Sequence, residues 1–204
     1  MLHRLILPVL VLAFTLPATA QEFRVGGGYT GSNVTETGEE QWSGRAGYHL
    51  GADLQLGTTW FLRPGVHLLV RNLNYTLAGV DQNGDGYGTD VEFRYTDRSL
   101  RVPLMVGRNL IDASSDPAVN IYVLGGPTAL FNLDADLHND RLDVRTSAAQ
   151  WYLGAGAGLT LGFLFLEGGY HVAMSNVFDG ARFDTNPRVN LINLSAGIRL
   201  QLAN

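Results

Sequence analysis

The sequence predicts an all-β fold, an eight-stranded antiparallel up-and-down transmembrane β-barrel. Three observations predict it. Eight segments alternate apolar and polar residues with period two, and the connections between them alternate long and short. A secretory leader precedes them. Beyond that leader no apolar stretch reaches the roughly 18–20 residues a membrane helix needs, so a membrane-borne chain must cross with strands. Only helices and closed barrels satisfy their backbone groups in lipid.

The leader comes first. Met1 to Arg4 carry one positive charge, and residues 5–16 form an apolar run broken only by Pro8 and Thr15. Pro17-Ala18-Thr19-Ala20 then offers a small-x-small site before Gln21. This is the build of a cleaved signal peptide over residues 1–20. It leaves 204 − 20 = 184 residues, 21–204, as one barrel domain.

The eight segments are 23–31, 45–57, 60–75, 91–108, 120–132, 148–161, 163–176 and 189–202. In the second, Ala46, Tyr48, Leu50, Ala52, Leu54 and Leu56 oppose Gly47, His49, Gly51, Asp53 and Gln55. In the fourth, Leu100, Val102, Leu104 and Val106 oppose Ser99, Arg101, Pro103, Met105 and Gly107. In the last, Ile192, Leu194, Ala196, Ile198, Leu200 and Leu202 oppose Asn193, Ser195, Gly197, Arg199 and Gln201. A helical stripe, with period 3.6, cannot hold this pattern.

Composition selects lipid over water for the apolar face. The polar face is rich in glycine and arginine rather than in the Lys, Glu, Thr and Ser of a water-facing sheet. A membrane barrel is apolar outside and polar within. All 14 basic residues are arginine, and the 25 glycines make up roughly 12% of the chain against a usual ~7%. Glycine inside a strand marks close backbone approach. There is no cysteine, so disulfides and thiolate metal sites are excluded. A net charge of −5 argues against nucleic acid as a partner.

The connections give the orientation. Long ones cover about 32–44, 76–90, 133–147 and 177–188. Short ones fall at 58–59 and 162, with a medium one at 111–119. Outer-membrane barrels have short periplasmic turns and longer external loops. An even strand number with a periplasmic N-terminus puts every long loop outside.

Several segments then resemble the PorT-like, porin-family outer-membrane β-barrel proteins common in Bacteroidetes. Ser99-Leu100-Arg101-Val102-Pro103-Leu104-Met105-Val106-Gly107 is similar to that family's I-P-L-L strand. Phe61-Leu62-Arg63-Pro64-Gly65 resembles its third strand with an internal proline. Gly154-Ala155-Gly156-Ala157-Gly158 resembles its glycine-alternating sixth, and Leu166-Glu167-Gly168-Gly169-Tyr170 the L-E-x-x-Y of its seventh. Leu194-Ser195-Ala196-Gly197-Ile198-Arg199-Leu200 resembles the closing strand. Arg101 stands where the family carries an acidic residue. The chain ends Leu202-Ala203-Asn204, without the terminal aromatic residue favoured by barrel-insertion machinery. The resemblance implies a bacterial outer-membrane barrel, inserted by that machinery into outer-membrane lipid.

Three places could carry chemistry. The first is the lumen, where Arg24, His49, Asp53, Arg63, His67, Arg71, Arg101, Glu167, His171 and Arg199 are expected to face inward. Eight strands enclose a space that side chains just fill, and buried charges must be paired. The set therefore reads as a structural plug, with Asp53 and Glu167 among arginines, rather than a conduit. A hydrolytic Ser–His pair fares poorly. His171 and Ser175 stand about 13 Å apart by strand rise, beyond hydrogen-bond reach, and no G-x-S-x-G elbow occurs.

The second is a loop. Asp81, Asn83, Asp85, Tyr87, Thr89 and Glu92 match the ligand spacing of a calcium loop, with Gly86 at its turn. No helices flank it, and an Asp-Gly hairpin tip explains the same residues. Ca²⁺ is the one cofactor the sequence suggests. The third is the acidic outer surface of Asp134, Asp136, Asp140, Asp143, Asp179 and Asp184. The expected protein is a monomer and no enzyme, with a structural, surface-contact or envelope-support role. A narrow porin, or a barrel that binds or modifies a lipid or other ligand, stands as the alternative.

Overall fold

In the computed structural model of the protein, the described residues are 21–34, 41–77, 91–111, 118–137, 149–175 and 188–202. The expected signal peptide lies outside them. They form β1 (Gln21–Val34), β2 (Gln41–Gly57), β3 (Trp60–Leu77), β4 (Val91–Asn109), β5 (Val119–Leu137), β6 (Ala149–Leu161), β7 (Leu164–Ala173) and β8 (Val189–Gln201). Each strand pairs antiparallel with the next, and β8 returns to β1, so the sheet closes on itself as an eight-stranded barrel. Closure removes the unpaired edges that an open sheet would expose.

At one end, which we call the turn end, the connections are short. Gly57, with φ of 110°, starts the β2–β3 turn. Gly162, with φ of 57°, opens the β6–β7 hairpin. A positive φ at this place matches the primed turns that suit strand twist. Both ends of the described chain lie here, since Glu22 pairs with Gln201. The other end carries the long connections.

The strands run further toward that loop end than alternation indicated. β1 continues to Val34, β2 begins at Gln41 rather than residue 45, and β5 runs to Leu137 rather than 132. The expected loops at 32–44, 76–90 and 133–147 are shortened accordingly. Alternation fades there because the outer face leaves lipid, while backbone pairing continues. β7 is shorter than expected, ending at Ala173, although Met174 N still donates to Trp151 O at 2.8 Å.

The outward face explains the height of the barrel. On β4, Leu100, Val102, Leu104 and Val106 look outward, bounded by exposed Arg98 and Arg108. Ten residues at about 3.4 Å each, tilted by about 40°, give roughly 26 Å. That matches the ~25 Å apolar band of an outer-membrane barrel. Trp60, stacked 5.4 Å from the Arg108 guanidinium, and Phe163 mark the turn-end border, with Tyr29, Tyr48 and Trp151 exposed higher up. Leu104 sits near the midplane of this band. Leu104→Arg is therefore expected to cost about 2–4 kcal/mol of stability in phosphatidylcholine vesicles, read as a lowered urea midpoint. An unchanged midpoint would place the bilayer elsewhere.

Candidate functional site

The interior is built by the alternate residues of all eight strands. All ten side chains singled out in the lumen face inward, and they fall into three tiers.

At the turn end a chain of polar contacts crosses the barrel. Glu22 accepts from Arg24 Nε at 2.5 Å and from Arg199 Nη1 at 2.9 Å. Arg24 Nη1 donates to Tyr122 Oη at 2.8 Å, and Tyr122 Oη donates to Glu167 Oε2 at 2.8 Å. Arg63 donates to the same Glu167 oxygen at 2.5 Å and to Gln55 Oε1 at 2.9 Å. The Arg24 and Arg63 guanidinium carbons lie 4.8 and 4.7 Å from the centre of the Tyr122 ring. At that range cations are held by the ring's quadrupole. Phe61, Met105 and Leu124 pack with Tyr122.

The middle tier holds three histidines. His49 bridges Thr30 Oγ1 (2.8 Å) and Ser195 Oγ (2.7 Å). His67 Nε2 meets Asp53 Oδ1 at 2.9 Å. Arg101 Nη2 donates to His171 Nε2 at 2.8 Å. Arginine can only donate, so the Asn193 amide turns its oxygen to Arg101, at 3.1 Å from Nη1, and its nitrogen to Thr30. These residues surround a cavity of about 40 Å³. At ~10–15 Å³ per water centre this has room for roughly three waters.

The loop-end tier is the most buried. Arg71 Nη2 donates to Asp97 Oδ2, and Arg71 Nη1 to Tyr152 Oη at 3.1 Å. Ser99 Oγ and Asn132 Nδ2 each donate to Asp97 Oδ1 at 2.8 Å. Arg71 and Asp97 are both 0% exposed. Leu69, Leu73, Leu130, Tyr152, Ala173, Val189 and Leu191 form a buried apolar cluster, which the pair meets at Tyr152.

Asp53 hydrogen-bonds His67 and lines the central cavity together with Arg63 and Arg101. The inward face also carries apolar layers toward both ends. Sequence reasoning did not single out Glu22, Gln55, Asp97, Asn193 and Tyr122, although it set Gln55 and Asn193 on the polar faces of their strands. Four of the five share strand parity with a residue already singled out: Glu22 with Arg24, Gln55 with Asp53, Asp97 with Arg101, and Asn193 with Arg199. Tyr122 gave no such signal, since an aromatic residue in this setting reads as lipid-facing.

Glycines make these tiers fit. His67 faces Gly51 across β2 and β3, His171 faces Gly154, Tyr122 faces Gly158 and Phe61 faces Gly107. A Cβ built on any of these four glycines would stand 2.1–2.5 Å from the ring opposite. Each of these four rings therefore occupies the space of a missing side chain on the next strand.

Of the residues singled out elsewhere, Asp81, Asn83, Asp85, Tyr87 and Thr89 lie outside the described residues. Glu92 falls in β4, paired with Thr76. Asp134 and Asp136 fall in β5, while Asp140, Asp143, Asp179 and Asp184 lie outside the described residues. Ser175 Oγ accepts from Trp151 N at 2.8 Å, away from buried His171.

Comparison with known proteins agrees with this architecture. Among solved structures, the outer membrane protein OprG from Pseudomonas aeruginosa is similar at 13% identity. The match covers 89% of this chain and 96% of that one, with a TM-score of 0.52. Neisserial surface protein A matches at 14% identity over 89% and 97% of the two chains, with a TM-score of 0.49. Ail, the attachment invasion locus protein of Yersinia pestis, matches at 14% identity over 88% and 99%, with a TM-score of 0.45. No curated protein matches the chain. The family described as outer membrane protein beta-barrel domain matches residues 6–199. The chain belongs to that family of bacterial outer-membrane β-barrels.

Proposed function

We propose that this protein is a closed, non-enzymatic and monomeric barrel that anchors its long connections at the cell surface, for surface contact or envelope support, and passes no solute. The observation that carries the reading is the loop-end tier. The buried Arg71–Asp97 pair and the apolar cluster it meets at Tyr152 fill the cross-section where a solute would enter. The turn-end chain from Arg199 to Gln55 spans the barrel a second time. Eight-stranded barrels are of the size that side chains fill, whereas wide aqueous channels belong to larger ones. His49 and Ser195 form a Ser–His pair at hydrogen-bond distance, but the cavity beside them is too small for an acyl or glycosyl substrate. The five strand segments that resemble PorT-like proteins support a place in that branch of the family.

Planar-bilayer recording tests the reading. The refolded barrel is expected to give no steady conductance in molar KCl. Reproducible single-channel steps would replace the closed anchor with a narrow porin.

A further inference from the structure

One cation stands on the outer wall of the barrel rather than inside it. Arg108 lies near the turn end of β4, exposed, with the outward parity of Leu104 and Val106. Inside, Arg24, Arg63, Arg71 and Arg199 each meet a carboxylate. Arg108 meets none among the described residues. Its guanidinium lies 5.4 Å from the centre of the Trp60 ring, which is 64% exposed. Trp60 and Arg108 are direct partners between β3 and β4, so strand register sets the pair.

The surroundings of the pair are apolar. Leu62 and Val106 are exposed on its midplane side. Leu110 and Ile121, joined by a backbone bond at 2.7 Å, are exposed beyond it, toward the turn end. Arg108 therefore stands inside the border of the lipid-facing surface, with apolar side chains on both sides. There an arginine lays its stem along hydrocarbon and keeps its charged head at the polar boundary. An indole attracts a guanidinium through its face. The edge of the guanidinium carries N–H donors in a fork that matches phosphate oxygens.

We propose that Trp60 and Arg108 form a docking site for one glycerophospholipid of the periplasmic leaflet. Arg108 binds its phosphate, Trp60 holds the guanidinium at headgroup depth, and an acyl chain lies along Leu62 and Val106. Charge and position select this occupant. The phosphate supplies the counter-charge that the described residues do not. The apolar wall takes a hydrocarbon chain, which a free phosphate ion lacks. Short connections face the periplasm in outer-membrane barrels, so the lipid at this end belongs to the periplasmic leaflet. A headgroup held here fixes the depth at which the barrel sits.

Refolding in vesicles of phosphatidylglycerol and of digalactosyl diacylglycerol, with matched acyl chains, tests this, since only the first lipid carries a phosphate. Arg108→Leu is expected to lower the urea midpoint by about 0.5 M in the phospholipid and not to lower it in the galactolipid. In the phospholipid vesicles, solid-state NMR recoupling of labelled arginine Cζ to lipid phosphorus is expected to show a contact that is lost in Arg108→Gln. Both variants change a lipid-facing side chain and leave the interior intact. An equal midpoint shift in the two lipids would overturn the proposal, as would a phosphorus contact that Arg108→Gln leaves unchanged. Inorganic phosphate that reproduced the phospholipid behaviour in galactolipid vesicles would also overturn it, because the site would then take a free anion.

Discussion

Asp97→Ala is expected to lower the unfolding free energy of the refolded barrel by about 3–5 kcal/mol. Asp97 and Arg71 are fully buried in the loop-end tier, where Tyr152 joins Arg71 to a buried apolar cluster that includes Leu69, Leu73, Leu130 and Leu191. Removing the carboxylate leaves the buried guanidinium to neutral partners, Gln150 and Tyr152, and also frees the Ser99 hydroxyl and the Asn132 amide. The loss therefore comprises an uncompensated charge and two orphaned donors. The pair itself is worth less than this single change suggests, because both ions gave up hydration to enter the barrel. Arg71→Met with Asp97→Leu is accordingly expected to recover most of the loss, since the adjoining apolar cluster accepts apolar neighbours. Urea titration in lipid vesicles, followed by tryptophan fluorescence, measures all three proteins. A double variant as unstable as Asp97→Ala alone would mean that the tier depends on the ion pair and not on filling of the space.

Gly158→Val is the second large effect. A Cβ at this position stands 2.2 Å from Tyr122 Cζ and 2.3 Å from its hydroxyl. The ring cannot swing aside, because it is fully buried with the Arg24 and Arg63 guanidinium groups stacked against it. Relief requires strand displacement or loss of the Tyr122 bridge to Glu167, and overpacking of this kind costs about 1–3 kcal/mol or more. Tyr122→Ala alone is expected to cost about 3–5 kcal/mol by the cavity it leaves. Combined, the two should be sub-additive by roughly 0.5–3 kcal/mol, because valine then fills space that tyrosine vacated. Strict additivity in the same urea assay would show that the two residues do not contest one space.

Much of this molecule was legible in its sequence, for a physical reason. A strand turns its side chains to opposite faces with period two, so alternation alone places His49 and Asp53 opposite Leu50 and Leu54. In lipid an unpaired strand edge is prohibitive, so alternation without a spanning helix leaves a closed barrel as the solution. Strand ends were less legible. Above the lipid band both neighbours of a strand, and not its own residues, decide how far it runs, as the extension of β5 to Leu137 shows.

The interior was legible only in part. Parity puts Arg71 and Asp97 on the inner face separately, but their meeting depends on the β3–β4 register, where they are direct partners. Tyr122 illustrates the limit. An aromatic residue on a barrel strand looks lipid-facing until the structure sets it against Gly158 and between two arginines.

By itself, then, the sequence determined the strand count, the two faces and the apolar band that meets lipid, because these follow from local alternation and from the insolubility of unpaired backbone in hydrocarbon. Only the tertiary structure decided which charges pair and where the glycines admit large rings. Those outcomes depend on strand register and shear across the closed barrel, which bring together side chains as far apart in the chain as Arg63 and Glu167.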